Sequence, residues 1–522
     1  MRATTRLAVT CLAALLTPIG VGGPLGGAPV FAQPMGAAEA EAAGKAGADG
    51  AEPKRFVTRH AIEIGGESLA YRAVAGETFL RTEDGAPEAS VFSIAYLLDG
   101  VEDPDRRPIA FFFNGGPGST AIWLHLGAFG PRRLVLEDMA NPGAPPYELA
   151  PNPHTLLPAT DMVFVDPIGT GYSRALGEGE DSDYWGVDED AASMARFIRT
   201  YLTETRRWGS PKYLVGESYG TIRSSLLVRE LQLDLLDSTA LNGVVLLSSA
   251  LDVGTFVPDA PGHDLVYVAT LPTFTAIAHY HGKLPGEPGQ EGDLEALLAE
   301  ARRFASTDYL LALFEGDALP EERARRIAGR LHRLTGLSEE YLLRSHLRVT
   351  IDRFAKELLR DDGTVIGLHD GRAVGRDPTE AGESVEWDPF VLSIAGPFGT
   401  VINDYLAEDL EADFGRRYEL FDLRIPQSWK RPGNEQWTGG ALNVVPYLAA
   451  AVAANDEFRV FVASGYHDLV TAFFGTEHTF GHSGIPEDRI TLRNYFGGHM
   501  MYLHDPSLEA LSRDVRAFID ER

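Results

Sequence analysis

The chain has 522 residues, 44% of them apolar, one cysteine and a formal net charge of −29. Its length exceeds one minimal domain and suits a large α/β fold carrying an insertion. The acidity excludes a nucleic-acid binder, which needs a basic face, and disfavours an anionic membrane surface.

At the N-terminus, Arg2 and Arg6 precede a mostly apolar stretch, residues 7–21, and Val30-Phe31-Ala32 offers a small-residue cleavage pattern. Residues 1–32 are therefore expected to be a signal peptide cut before Gln33, giving an exported protein, periplasmic or extracellular. The alternative is an uncleaved anchor, but the run is short and broken by Pro18 and glycines. Cys11 lies inside this run, so the mature chain is expected to have neither thiol nor disulfide. Residues 33–55, rich in Ala, Gly and Glu, read as a disordered linker. No later apolar run reads as a membrane span.

The main folded domain is expected over 56–522. Residues 57–99 alternate as antiparallel edge strands would. Beyond them, continuous apolar runs end in loops of special composition. Ile109-Ala110-Phe111-Phe112-Phe113 ends at Asn114-Gly115-Gly116-Pro117-Gly118, and Met162-Val163-Phe164-Val165 ends at Asp166-Pro167. A helix is predicted over 188–206, and further strands at 212–215, 244–247, 458–463 and 490–496. Apolar strands alternating with helices imply a mostly parallel sheet covered on both faces. Residues 255–435, with helical spacing at 294–304 and 320–334, break this rhythm and read as a large helical cap insertion.

Gly216-Glu217-Ser218-Tyr219-Gly220 follows the strand at 212–215 and opens a helical pattern. Strand, G-x-S-x-G, helix is the context of a nucleophile elbow, which presents Ser218 above the sheet. A serine nucleophile needs a base, a group to orient that base, and donors for the oxyanion. Asp468 and His499 each follow a late strand and keep the order Ser, acid, His. Asp166 and Asp252 also follow strands but break that order. His467, His478, His482 and His504 compete with His499 but lack its paired-glycine turn, Gly497-Gly498. The oxyanion donors are expected to be the N–H groups of Gly116 and Tyr219. Gly169-Thr170-Gly171 lacks the spacing of a nucleotide loop. His263, His279 and His281 lack zinc spacing and a carboxylate partner, so no metal or organic cofactor is expected.

Together these blocks resemble the serine carboxypeptidase family. Its N-G-G-P-G loop corresponds to 114–118 and its G-E-S-Y elbow to 216–219. Its D-x-x-G-x-G-[YF]-S segment corresponds to 166–173, and its terminal G-x-x-D and G-H motifs to 465–468 and 498–499. The resemblance implies an α/β-hydrolase fold and release of C-terminal amino acids from peptides with a free C-terminus. It also implies that Asn114 and Glu217 hold the substrate carboxylate. Two carboxyl groups so close share a proton, so acidic pH is expected to favour peptide hydrolysis. Ser119 stands where the family has a disulfide cysteine, Ala128 where many members have a second Glu, and Met500 follows His499. An acyltransferase or esterase with the same triad is the rival enzyme, and a catalytically inactive secreted binding protein the rival outside enzymes.

Overall fold

The protein, a computed structural model, is described over residues 52–136, 142–258, 261–286, 294–430 and 442–521. The expected leader 1–32 and all but the last four residues of the expected linker lie outside the described residues. At the linker's end, Lys54 already pairs with Glu77 through backbone and carboxylate, and the first strand begins at Arg55.

The main sheet contains β1 (Arg55–Ile64), β2 (Glu67–Arg81), β3 (Pro87–Leu98), β4 (Ile109–Phe113), β5 (Asp161–Val165), β6 (Lys212–Glu217), β7 (Gly243–Leu247), β8 (Arg459–Gly465) and β9 (Ile490–Tyr495). Their spatial order is β1-β2-β3-β5-β4-β6-β7-β8-β9, and a two-residue strand, Arg174–Ala175, adds to β3. Strands β1, β2, β3 and β5 pair antiparallel, whereas every pairing from β5 through β9 is parallel. The reason is visible in burial. Edge strand β1 exposes alternate residues, whereas β4, β5, β6 and β7 are buried along their whole length. From β4 the chain turns first to one side, to β5, and then to the other, to β6. This switch opens a crevice at the C-terminal ends of β4 and β6, the usual ligand position in open α/β sheets.

Helices cover both faces. On one, α1 (Val187–Thr205), α2 (Tyr219–Leu231) and the later α7 (Val445–Ala454) bury Ile198, Leu226 and Leu448 against Leu214, Val244 and Val460. Acidic Asp188, Glu189 and Asp190 start α1, where the helix dipole favours negative charge. On the other face, α8 (Asp505–Asp520) buries Leu511, Val515 and Ile519 in the core that contains Val245 and Phe461.

Between β7 and β8 lie α3 (Leu265–Tyr280), α4 (Leu294–Phe304), α5 (Glu321–Thr335) and α6 (Pro389–Asp404). Helix α5 starts after Pro320 and stops at Gly336, whose φ of 72° ends the helix in the left-handed region. These helices have a core of their own, with Phe274 stacked on Phe354 at 4.0 Å among Leu271, Ile327 and Leu331. Helix α6 differs. With the π-turn that follows, residues 389–409 are long and apolar enough to cross a membrane by length and composition, contrary to the sequence expectation. Here Phe390, Ile394, Phe398 and Ile402 are buried in the main sheet core.

Candidate active site

At the end of β6 the chain turns so sharply into α2 that Ser218 takes φ 59° and ψ −126°, a strained conformation for a residue with a side chain. Glycines make the turn possible. A Cβ on Gly216 would lie 2.1 Å from the carbonyl oxygen of Gly220, and one on Gly115 would lie 2.4 Å from the Tyr219 nitrogen. The second contact shows how closely the loop after β4 covers the elbow. Tyr219 is the first residue of α2, so its N–H has no intrahelical acceptor. Gly116, at φ 108°, lines the same cavity as Ser218.

Buried groups hold this loop. The Asn114 side-chain oxygen accepts from Leu124 N–H at 3.1 Å, and its backbone oxygen accepts from Arg223 Nη1 at 2.7 Å. Arg223 is fully buried and pairs with Asp190 of α1 at 2.7 Å. It lies five residues beyond the serine on α2, so one cation ties elbow helix, Gly-rich loop and α1 together.

The loops after β8 and β9 bring in Asp468 and His499. His499 Nδ1 is 2.8 Å from Asp468 Oδ2, with both residues buried. Asp468 Oδ1 accepts from the N–H groups of Val470 and Thr471, and Oδ2 accepts from the Thr471 hydroxyl at 2.6 Å. Burial alone would lift the Asp468 carboxyl, but the charge of His499 and hydrogen bonds from His499 and Thr471 hold it below its ordinary range. Burial likewise disfavours the imidazolium of His499, yet Asp468, with Glu217 and Asp388 adding, raises it above its ordinary value. Ser218 and His499 line one cavity. Among the described residues no hydrogen bond joins their side chains, a contact that often tightens only when substrate is seated.

Glu217 also lines this cavity, with its side chain buried. Burial pushes its carboxyl up to about 7, against the pull of His499 and of Tyr502 and Asn114. Tyr502 Oη donates to Glu217 Oε2 at 2.5 Å. Asn114 Nδ2 lies close enough to pull the same carboxyl down but meets no hydrogen-bond geometry, leaving a buried donor unpaired. Ala128, where the resemblance would put a second carboxylate, sits buried in the π-turn Trp123–Phe129 and offers only its carbonyl, to Asn152.

The competing residues are occupied elsewhere. Asp166 accepts from Ala121 N–H at 3.0 Å and Tyr418 Oη at 2.7 Å, and Asp252 caps the short turn after it. His467 is buried against the Gly497 carbonyl, His504 pairs with Ser507, and His482 with the His478 carbonyl. His281 bonds the Gly371 carbonyl.

Two cap segments are laced into the site. In the first, the His369 carbonyl accepts from His499 N–H at 2.6 Å, Asp370 Oδ2 accepts from Gly498 N–H, Gly371 N–H donates to the His467 carbonyl, and Leu368 O accepts from Leu469 N–H. The His369 ring meets that of His499 edge to face and holds Asp388 at 2.7 Å. In the second, the Leu420 carbonyl accepts from Thr120 N–H, and Asp422 N–H donates to the Gly118 carbonyl. The cavity between them measures about 550 Å³. Its cap wall is mostly apolar, with Val349, Ile351, Val391, Leu392 and Phe421 beside Thr350, Asp352 and His369, and no lysine or arginine lines it among the described residues.

Sequence order pointed to five positions and the family resemblance to two more, Asn114 and Glu217; Ser218, Glu217, Gly116 and His499 share one cavity, with Asp468, Tyr219 and Asn114 directly behind. Sequence reasoning missed Thr471, Arg223, His369 and Tyr502. Thr471, three residues past Asp468, follows a common hydroxyl-to-carboxylate spacing; the others carry no local signal.

Residues 92–251 match the family model described as "Serine carboxypeptidase". Serine carboxypeptidase-like 20 of Arabidopsis thaliana is 25% identical over 182 residues, covering 33% of this chain and 35% of that protein. Serine carboxypeptidase 1 of Hordeum vulgare is 25% identical over 138 residues, 26% of each chain. The matched part thus spans about a quarter to a third of the length of these curated relatives. Among solved structures, a prohormone-processing carboxypeptidase of Saccharomyces cerevisiae superposes with a TM-score of 0.50 at 13% identity, covering 86% of this chain and 90% of that one, a likeness of fold. The matched stretch holds both the Gly-rich loop and the elbow, and over it the chain is similar to the serine carboxypeptidase family.

Proposed function

We propose that the protein is a serine-type carboxypeptidase that releases C-terminal amino acids through an acyl-enzyme and favours acidic pH. The observation that carries this reading is the Glu217 carboxyl. It is buried beside the elbow serine and held at about 7 by burial, so below neutrality it keeps a proton that it can donate to a substrate carboxylate. Asn114 supplies a second donor, its unpaired side-chain N–H.

Ser218 Oγ attacks the last peptide carbonyl while His499 Nε2 takes its proton. Asp468 keeps the other ring proton on Nδ1 and stabilises the imidazolium. The N–H groups of Gly116 and Tyr219 receive the oxyanion. His499 then protonates the departing amino acid, and water hydrolyses the acyl-enzyme. The apolar cap wall suits a bulky apolar residue beside the scissile bond. The expected leader, residues 1–32, would deliver this activity to the periplasm or the exterior.

The same apolar wall, free of lysine and arginine, also favours a second reading: hydrolysis or transfer of an apolar ester by the same triad. One experiment separates the two. The pH profile of kcat/KM is measured on a free-acid peptide, its C-terminal amide and a simple ester. For a carboxypeptidase, the free-acid profile falls as pH rises through about 7, where Glu217 loses its proton, and the amide profile does not fall there. Identical acid and amide profiles rising toward neutral pH remove the role of Glu217, and preference for the ester then supports the second reading.

A further inference from the structure

We infer that Tyr502 is a positioning residue that dictates which oxygen of Glu217 carries the proton offered to the substrate. The inference rests on the carboxylate-reading role of Glu217 and deepens it.

Tyr502 reaches Glu217 from the short turn Met501–Leu503 that follows the His499 loop. Its ring is fully buried, and a Cβ on Gly127 would lie 3.0 Å from it, so the ring is held by contact. Among the described residues its hydroxyl meets the Glu217 carboxyl at 2.5 Å, with the Asn114 amide near it. The amide nitrogen can only donate, so the hydroxyl proton has one acceptor, Glu217 Oε2. Burial and the Glu217 charge raise the phenol well above its ordinary value, so it stays a donor at any working pH.

A carboxyl that accepts at Oε2 keeps its own proton on Oε1. That leaves Oε1–H as the group for an incoming carboxylate, beside the unpaired Asn114 Nδ2. Without the phenol the proton is shared between both oxygens and the donor loses its direction. The phenol also stabilises the ionised form of Glu217, alongside His499 and Asn114 and against Asp468. Its loss therefore lets the carboxyl keep its proton to higher pH.

The test is Tyr502→Phe, with Glu217→Gln and the double variant, read as pH profiles of kcat and KM on the free-acid peptide and its amide. The expected result for Tyr502→Phe has two parts. The acid-over-amide preference below pH 6 drops by about 3- to 10-fold through KM, the worth of one hydrogen bond. The alkaline limb of the free-acid profile moves upward relative to the amide profile. In a Glu217→Gln background, which has no proton to place, Tyr502→Phe changes neither. Equal shifts on acid and amide, an unmoved limb, or the same change in the Gln background would overturn the inference and reduce Tyr502 to packing. If the parent enzyme does not distinguish acid from amide, the proposed function falls instead, before any Tyr502 variant is read.

Discussion

The floor and the roof of the cavity are built on opposite principles. The floor comes from loops at the ends of β4, β6, β8 and β9, and its groups are polar, buried and held by backbone hydrogen bonds or short side-chain contacts. The roof comes from the cap and meets the cavity with aliphatic side chains such as Val349, Val391 and Leu392. In the floor, geometry carries the chemistry, so a small displacement is costly. In the roof, volume carries the preference, so side chains trade at the modest cost of apolar contact.

Breaking the floor is expected to give the largest effect. Ser218→Ala lowers kcat by about 10⁶-fold and abolishes labelling by a fluorophosphonate probe; labelling retained at another residue would show the nucleophile to be elsewhere. An intermediate effect concerns stability. The Glu217 carboxyl is raised from 4.5 to about 7 in the fold, so the unfolded chain loses this proton first as pH rises. Its burial is harmless below pH 4.5, and its cost grows between 4.5 and 7 and stays above that. Glu217→Gln therefore raises the melting temperature at pH 8 and leaves it nearly unchanged at pH 4, with a gain of up to about 3 kcal/mol at the upper end. A variant whose melting temperature differs from the parent's by the same amount at both pH values would contradict the buried, protonated carboxyl. The smallest effect sharpens the roof: Val391→Ala raises KM for bulky apolar peptides by about fivefold and leaves kcat alone, checked by steady-state kinetics on a side-chain series.

The same contrast explains what the sequence could disclose. Strands β4 to β8 were legible because continuous apolar runs ending in Gly-rich or Asp loops have few other uses. Ser218, Asp468 and His499 could be placed because each follows such a run in a fixed order. Helices α4 and α5 were legible from their spacing. Helix α6 was not: its apolar surface is shared between the main core and the cavity, which gives a run of membrane-like composition. Tyr502 and His369 were invisible for another reason. They meet Glu217 and His499 only through packing, and Arg223 reads as a surface cation in a helix until its buried partner Asp190 is seen. A side chain whose partner lies tens to hundreds of residues away leaves no pattern along the chain.

The two lacings of the cap have a mechanical consequence. One grips the loops bearing the base and its carboxylate, the other grips the loop bearing the oxyanion donor. A roof stitched on both sides cannot swing open like a hinge without loosening the machinery below it. Traffic must then pass through the rim, where Leu392 and Leu423 line the cavity and stand exposed. The cap is thus less a lid than a keystone: its inner aliphatic side chains can be exchanged at modest cost, but its removal would let the arch beneath it slip.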